Sequence, residues 1–480
     1  MKRFLLPIFI AGTFIIQAQE NTSFYATMDV YDAKELQKHY PHLIEILKTK
    51  QNKAAVYLVE EAIHKLHDKV LTHGPGFVYQ PSEQRAIDAL DIVYGRPKNT
   101  YVFSITEEDV VAQALDLVNS GNISNHIIEL ESYGTRFHTY PQAEQAVLDL
   151  KETWETMIAD AGRTDITVRI YNHNNTTMPS LILTIEGAET PDEFVITGGH
   201  IDSTSFQGNG NAPGADDNAS GIATLTEALR VLLELEYVPQ KTIEIMAYAA
   251  EEIGLVGSAE IAEEYANNNV NVISYVQFDM TGYQGSASDI YIATDDYNSE
   301  NLNSFLIELI QFYNSSGSHQ LSYGLTVCNY GCSDHYSWAQ NGYEAAFPFE
   351  AAFGQHNPNI HMASDTYSFL GNADHAAKFT KLALQYLIET AKVHQAASVD
   401  DLNQNRLRVF TQNNRLYYET LSGDSLENLA LYDLSGKLLM LEINPASSGE
   451  ISLESLASGV YMCSFEVSGK GIYIKKILVH

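Results

Sequence analysis

The sequence predicts an α/β fold with a mostly parallel central sheet and helices on both faces, a helical N-terminal segment before it and a small C-terminal β-sandwich after it. Three observations carry this. From about residue 99 to 395, buried-type strands alternate with amphipathic helices, which implies a largely parallel sheet covered on both sides. The preceding stretch is rich in helix formers, and the last ~75 residues switch to short runs of alternating polarity at turn spacings of about ten residues. At 480 residues the chain is also too long for one ordinary core.

In chain order, Lys2 and Arg3 precede an apolar run from Phe4 to Ile16 and the polar Gln17-Ala18-Gln19. That is the pattern of a signal peptide over residues 1–19, and neither it nor any later stretch is long enough for a stable membrane span. Residues 20–98 read as a helical unit, with Leu36, Leu43, Ile46 and Leu47 spaced for an apolar face between Ala33 and Leu71. Between Glu20 and Thr100 there are 10 Lys and Arg against 11 Asp and Glu, while the whole chain has 28 against 61 and a net charge of -33. The excess acidity therefore lies downstream. A near-neutral leader on an acidic body reads as a propeptide, a permanent accessory domain being the alternative. The overall charge disfavours nucleic acid and anionic lipid as partners and favours cationic ligands.

Within residues 99–395, Phe194–Gly199, Lys241–Ala250 and Ile273–Met280 read as buried strands. A helix from about Asn218 to Glu236 places Ile222, Leu225, Leu229 and Leu232 on one face, and further helices are expected over Asn301–Tyr313 and Ala373–Val393. In such sheets ligands bind at the carboxyl ends of the strands. The polar linker HQAASVDDLNQN, starting at His394, leads to the sandwich of residues 400–480. Tyr417 and Tyr418 there are adjacent and point to opposite faces, which argues against an aromatic carbohydrate-binding row.

Four segments bearing acids or histidine follow these strands directly: GGHID with His200 and Asp202, PGADDNASG with Asp216 and Asp217, AAEEIGLVGS with Glu251 and Glu252, and FDMTG with Asp279. Each signal is weak alone, since Asp-Asp before a helix is often a cap and Glu-Glu a solvated face. Together they bring imidazole and carboxylate ligands into one crevice, as a zinc pair about 3.5 Å apart sharing a bridging carboxylate requires. Downstream, Cys328 and Cys332 flank Asn329-Tyr330-Gly331. In an exported protein they either close a small disulfide or stay as thiols, while Cys463 has no partner in sequence.

The motifs GGHID, PGADDNASG, AYAAEEIGLVGS, QFDMTGY, NYGCSDHYSW and NIHMASDT resemble, in order and over about 170 residues, those of secreted bacterial leucyl aminopeptidases and their zinc peptidase family. The resemblance implies two zinc ions per chain. One would be held by His200 and Asp279 and the other by Glu252 and His361, with Asp216 bridging and a cis peptide from Asp216 to Asp217. It implies Glu251 as general base, Asp202 orienting His200, Tyr330 at the oxyanion and a Cys328–Cys332 disulfide. It places Met280, Phe347, Phe349, Phe353 and Ile360 around the first side chain of the substrate. Spacing alone does not separate His361 from His335, His356 and His375.

The segments ALYDLSGKLL, LASGVYMCSF and KKILVH resemble the C-terminal sorting domain of the type IX secretion system. That implies secretion through the periplasm and the secretion machinery as a partner. The activity expected is hydrolysis of peptides with a free N-terminus and a large apolar first residue. The alternatives are a glutaminyl-peptide cyclase on the same scaffold and a carboxypeptidase, for which Arg136 in SYGTRFHTY is the candidate cation.

Overall fold

The computed structural model describes residues 23–59, 61–67, 76–91, 100–328, 330–394, 407–412, 414–420, 424–433, 436–468 and 471–479. The signal-peptide stretch 1–19, the leader boundary near 98 and most of the linker after His394 lie outside them. Among the described residues no helix is long and apolar enough to cross a membrane.

The N-terminal segment departs from the helical expectation. Strands β1 (Ser23–Asp29), β2 (Ile44–Lys50), β3 (Lys53–Val59) and β4 (Phe77–Gln80) form an antiparallel sheet in the order β2-β3-β1-β4. Helices α1 (Val30–His39), α2 (Glu61–His67) and α3 (Glu83–Ala89) accompany it. Leu43, Ile44, Ala54, Val56 and Leu58 enter the sheet's core, joined by Leu36 from α1. The two-residue turn at Gln51-Asn52, with φ of 53° at Gln51, reverses the chain into β3. The alternation of two thus overrides the helical spacing of the leucines.

The central body, residues 100–394, follows the expected plan. Helices α4 (Glu108–Leu117), α5 (Ser120–Glu131) and α6 (Pro141–Asp160) lead into β5 (Ile166–Tyr171), β6 (Ser180–Ile185) and β7 (Thr190–His200). Next come α7 (Gly221–Glu234), β8 (Lys241–Tyr248), α8 (Val256–Asn267), β9 (Asn271–Gln277), β10 (Ile290–Ala293), α9 (Glu300–Tyr313), β11 (Tyr323–Thr326), α10 (His335–Gln340), β12 (Ala345–Ala346), β13 (Pro348–Phe349), α11 (Tyr367–Leu370) and α12 (Asp374–Ala391). The central sheet runs β12-β9-β7-β8-β6-β5, parallel from β12 to β8 and antiparallel through β6 and β5.

Its faces separate with the strand period of two. Leu181, Leu183, Val195, Ile243, Ile245 and Val276 meet α6, α7 and α12. Ile182, Ile196, Met246, Tyr248 and Tyr275 meet α8 and α10. β4 of the N-terminal sheet docks on this body: Tyr79 N–H donates to the Gly254 carbonyl at 2.9 Å, and Val78 packs with Leu255, Tyr297 and Tyr336. Gly254 sits at φ +109°, and a Cβ there would fall 2.8 Å from the Tyr79 nitrogen, so only glycine admits this approach.

Residues 395–480 form a separate compact unit. Strands β14 (Leu407–Gln412), β15 (Arg415–Thr420) and β18 (Ser448–Ser452) make one antiparallel sheet. Strands β16 (Leu426–Tyr432), β17 (Leu438–Ile443), β19 (Gly459–Val467) and β20 (Gly471–Val479) make the other, in the order β17-β16-β19-β20. Leu416, Tyr418, Leu429, Cys463 and Phe465 fill the space between, as expected of a sandwich. Tyr418 points into that core while Tyr417 stacks outside on Phe410.

The aromatic block behind the central sheet is the sharpest packing constraint. Trp338 is fully buried, stacks on Tyr275 at 5.1 Å and donates its indole N–H to the buried Tyr248 hydroxyl at 2.9 Å. Trp338→Ala opens a cavity and removes that donor, so a loss of about 3–5 kcal/mol is expected in denaturant unfolding. A loss below about 1 kcal/mol would show that the block is not a stability determinant.

Candidate metal centre

The parallel neighbours β9, β7 and β8 end side by side, and each hands its next residues to one crevice. β7 ends at His200, β8 leads to Glu251 and Glu252, and β9 to Asp279. The turn before α7 brings Asp217, and the segment between β13 and α11 brings His361. Non-glycine residues with left-handed φ cluster here: Ala250 (57°), Met280 (55°) and His361 (54°). Strain of this kind persists only where the surroundings over-determine the backbone, and it collects at functional sites.

Two buried donor groups result: His200, Asp217 and Asp279, and Asp217, Glu252 and His361. His200 Nε2 lies 3.1 Å from Asp217 Oδ1 and 3.3 Å from Asp279 Oδ1. His361 Nε2 lies 3.0 Å from Asp217 Oδ2 and 3.1 Å from Glu252 Oε2. These are close approaches without hydrogen-bond geometry: His200 Nε2, both Asp217 oxygens and both Glu252 oxygens are buried and make no hydrogen bond. Buried polar atoms that converge on a common point in this way fit metal ligation. Asp202 ties the site together, its oxygens accepting the Glu251 and Glu252 backbone N–H groups at 3.0 and 3.2 Å, with Oδ1 3.5 Å from His200 Nδ1. Ser333 donates to Asp279 Oδ2 at 2.6 Å.

The structure corrects one ligand expectation. Asp217, not Asp216, stands between the imidazoles, and the cis peptide is Asp217–Asn218. Asp216 points the other way, where its carboxylate accepts Gly282 N–H at 2.8 Å and Asn357 Nδ2 at 3.0 Å. Its own N–H and that of Asp217 donate to Asp365. Adjacent residues of this turn project to opposite sides, and spacing cannot tell which one faces the crevice. Asp365 and Ser333 were not singled out from sequence, and nothing in their spacing marks them.

His200, Glu252, Asp279 and His361 lie in the donor groups, and Glu251 and Asp202 lie beside them. The other histidines do not: His335 stacks on Phe347, His356 packs by Phe349 and Phe353, and His375 bonds the Thr281 carbonyl. Met280, Phe347, Phe349 and Ile360 form one apolar cluster with Ala293 and the Cys328–Cys332 disulfide, and Tyr330 and Phe353 pack against it. Arg136 fails as a receptor for a substrate carboxylate, because it is fully buried and its guanidinium is spent on main-chain carbonyls.

Comparisons with known proteins place the chain among peptidases. A family profile described as peptidase family M28 matches residues 180–387, and one described as a secretion system C-terminal sorting domain matches residues 412–480. Leucine aminopeptidase 1 of Ajellomyces capsulatus is 35% identical over 301 residues, covering 60% of this chain and 76% of that protein. A probable aminopeptidase of Saccharomyces cerevisiae is 32% identical over 300 residues, covering 61% and 79%. The crystal structure of the LapA aminopeptidase of Legionella pneumophila aligns with a TM-score of 0.67 at 29% identity, covering 77% of this chain and 99% of that one.

The electrostatics of the site are coupled. Burial pushes Glu251 well above the carboxylate range, aided by Glu252, Asp334 and Asp279 and opposed by His200, and it raises Glu252 likewise. Burial alone would lower His361, but Glu252 and Asp217 outweigh it and raise the ring from 6.5 to about 10. Asp217 is held well below its usual range: burial opposes ionisation, and His200 and His361 overcome that. In chelator-treated protein, the stability due to His361 is therefore complete below about 6.5 and disappears as pH climbs through about 10. The raised glutamates act in the same direction, while the Asp217 contribution is already complete across that window. Melting temperature is expected to fall as pH rises from neutral toward about 10, and His361→Gln to flatten the fall. An unchanged slope in the variant would show that this ring does not hold the proton.

Proposed function

The chain belongs to peptidase family M28, and on that premise we propose that it is a secreted zinc aminopeptidase that holds two zinc ions and releases large apolar residues from the free N-terminus of peptides. The observation that carries the two-ion reading is the membership of Asp217 in both donor groups. Imidazole and carboxylate donors at a buried site suit zinc. Bound zinc would polarise the scissile carbonyl and lower the pKa of a coordinated water.

The chain's own residues supply the rest. Glu251, whose Oε1 is buried without a hydrogen bond and whose carboxyl is raised by burial, takes a proton from the attacking water and passes it to the leaving amine. Asp202 holds the His200 ring and the Glu251–Glu252 backbone in one frame. Tyr330 offers its phenol where negative charge develops on the carbonyl oxygen. The cluster of Met280, Phe347, Phe349, Phe353 and Ile360 takes the first side chain, and the surrounding carboxylates favour an ammonium over a blocked amide. A carboxypeptidase reading has lost its cation in Arg136.

We further read residues 20–98 as a propeptide removed from the mature enzyme. The near-neutral charge of that stretch and the docking of β4 beside the Glu251–Glu252 turn support this. The sorting unit is read as the address for export through the periplasm by the type IX machinery.

A panel of leucyl-, alanyl-, N-acetyl-leucyl and N-terminal glutaminyl substrates tests the reading. Each buried methylene contributes about 0.8 kcal/mol, so leucine is expected to exceed alanine by about one to two orders of magnitude in kcat/KM. Equal turnover of the acetylated substrate would overturn the aminopeptidase reading, cyclisation of the glutaminyl substrate would replace it, and a preference for alanine would overturn only the pocket.

Glu251→Gln is expected to keep its zinc and lose about 10²-fold or more in kcat. Loss of zinc together with activity would exchange the roles given to Glu251 and Glu252.

A further inference from the structure

Arg136 takes no part in the chemistry above, yet it is the only Lys or Arg among the described residues with no exposed surface. Its Nε donates to the Ile201 carbonyl at 2.7 Å, Nη1 to Leu130 at 3.0 Å and Pro213 at 2.6 Å, and Nη2 to Gly214 at 2.8 Å. Ile201 lies between His200 and Asp202, and Pro213 and Gly214 open the turn that carries Asp217. The Arg136 backbone N–H donates to Ser203 Oγ at 3.0 Å, and that hydroxyl donates to Ala212 at 2.7 Å, a second tie between the same segments.

A buried guanidinium is tolerated only where its donors are satisfied and negative charge lies near. Burial lowers the Arg136 pKa to about 10, and Asp365, Asp202, Asp217 and Glu252 oppose the fall, so it stays charged at neutral pH. Gly214, at φ +52°, lets the fork close on the backbone: a Cβ there would lie 2.4 Å from the Asp217 carbonyl and 3.0 Å from Nη2.

We propose that Arg136 is a positioning residue for the two-zinc centre: its planar fork sets the spacing between the His200 segment and the Asp217 turn, and its charge balances the carboxylates gathered around the two metal positions. This rests on the two-zinc reading above. Lysine cannot substitute, because a point charge with three donors on a flexible stem does not span carbonyls from separate segments.

The test compares the full chain with Arg136→Lys for zinc stoichiometry and affinity by chelator competition, leucyl-substrate kinetics and thermal melting. The expected result is a folded variant whose zinc affinity at one or both positions falls about 10- to 100-fold, with kcat reduced and KM little changed. Ser203→Ala, a milder change that removes the second tie, is expected to shift the same quantities by a smaller factor, and it decides the matter if the lysine variant does not fold. Wild-type zinc affinity and kcat in the variant that folds would overturn the inference, even with a lowered melting temperature, since the arginine would then serve stability alone. A wild-type chain that binds fewer than two zinc equivalents would instead defeat the reading on which it rests.

Discussion

One carboxylate faces two imidazoles, and much of the surrounding structure holds it there. Asp217 sits between His200 and His361 with approaches of 3.1 and 3.0 Å. No secondary structure positions it directly, because the turn from Gly214 to Ser220 departs from regular helix at Asp217 and Asn218. Side chains do that work. Asp365 accepts the N–H groups of Asp216 and Asp217, and Asn218 bonds Gly221 N–H, Met280 N–H and the Phe278 carbonyl. The Asn218 bonds also tie the turn to the segment that delivers Asp279, so the donors of one metal group are mechanically linked.

That arrangement is costly by itself. Asp202, Asp216, Asp217, Glu251, Glu252, Asp279, Glu350 and Asp365 are all essentially buried near two histidines and one arginine. Removing charges from water costs several kcal/mol each unless they are paired or ligated. Burial and Asp216 together push Glu350 well above the usual carboxylate range, which opposes a further negative charge beside its neighbour. On the proposed reading, metal ligation offsets much of the cost, which couples folding to metal as in other sites assembled from buried ligands. The apolar sheet beneath, with its two faces packed on helices, provides the stability against which this site is built.

The three central strands β7, β8 and β9 and the helices α7, α9 and α12 were legible because burial on both faces writes long apolar runs, and the sandwich because alternation and turn spacing repeat; the helices α4 to α6 and the antiparallel β5 and β6 were not read. The donors at the strand ends were legible down to the segment, whereas His361 came only from the family resemblance. The choice between Asp216 and Asp217 was not, since it depends on a turn in which neighbours project oppositely and Gly282 and Asn357 claim one of them. The N-terminal sheet was misread because Leu36, Leu43, Ile46 and Leu47 satisfy a helical spacing while Ile44–Lys50 also satisfies a strand. Pairing of Ile44 with Leu58 and Ile46 with Val56, a tertiary fact, decides between them. Arg136 was visible only as an unplaced cation, and its role depends on carbonyls that no sequence pattern displays.

The N-terminal segment meets the body at several points, among them Tyr79 Oη on Asn175 at 2.9 Å, the Arg85–Glu263 ion pair and Ile253 against the N-terminal core, and one of these contacts lies beside the metal centre. There the Tyr79 N–H binds the Gly254 carbonyl, just past the Glu251–Glu252 turn whose N–H groups hold Asp202. If that contact were needed to shape the turn, removing the leader would dismantle the site. The turn, however, closes on itself. Gly254 and Leu255 donate to the Glu251 carbonyl at 2.8 and 2.9 Å, Val256 to Ala250 at 3.1 Å and Gly257 to Ala249 at 3.0 Å. The leader therefore adds a bond to a turn that is already complete, and it covers Leu255 and Tyr336 with Val78. Those are the contacts of a part that can leave without taking the geometry of the metal centre with it. The reading of residues 20–98 as a removable segment is compatible with the bonding of the site it leans on.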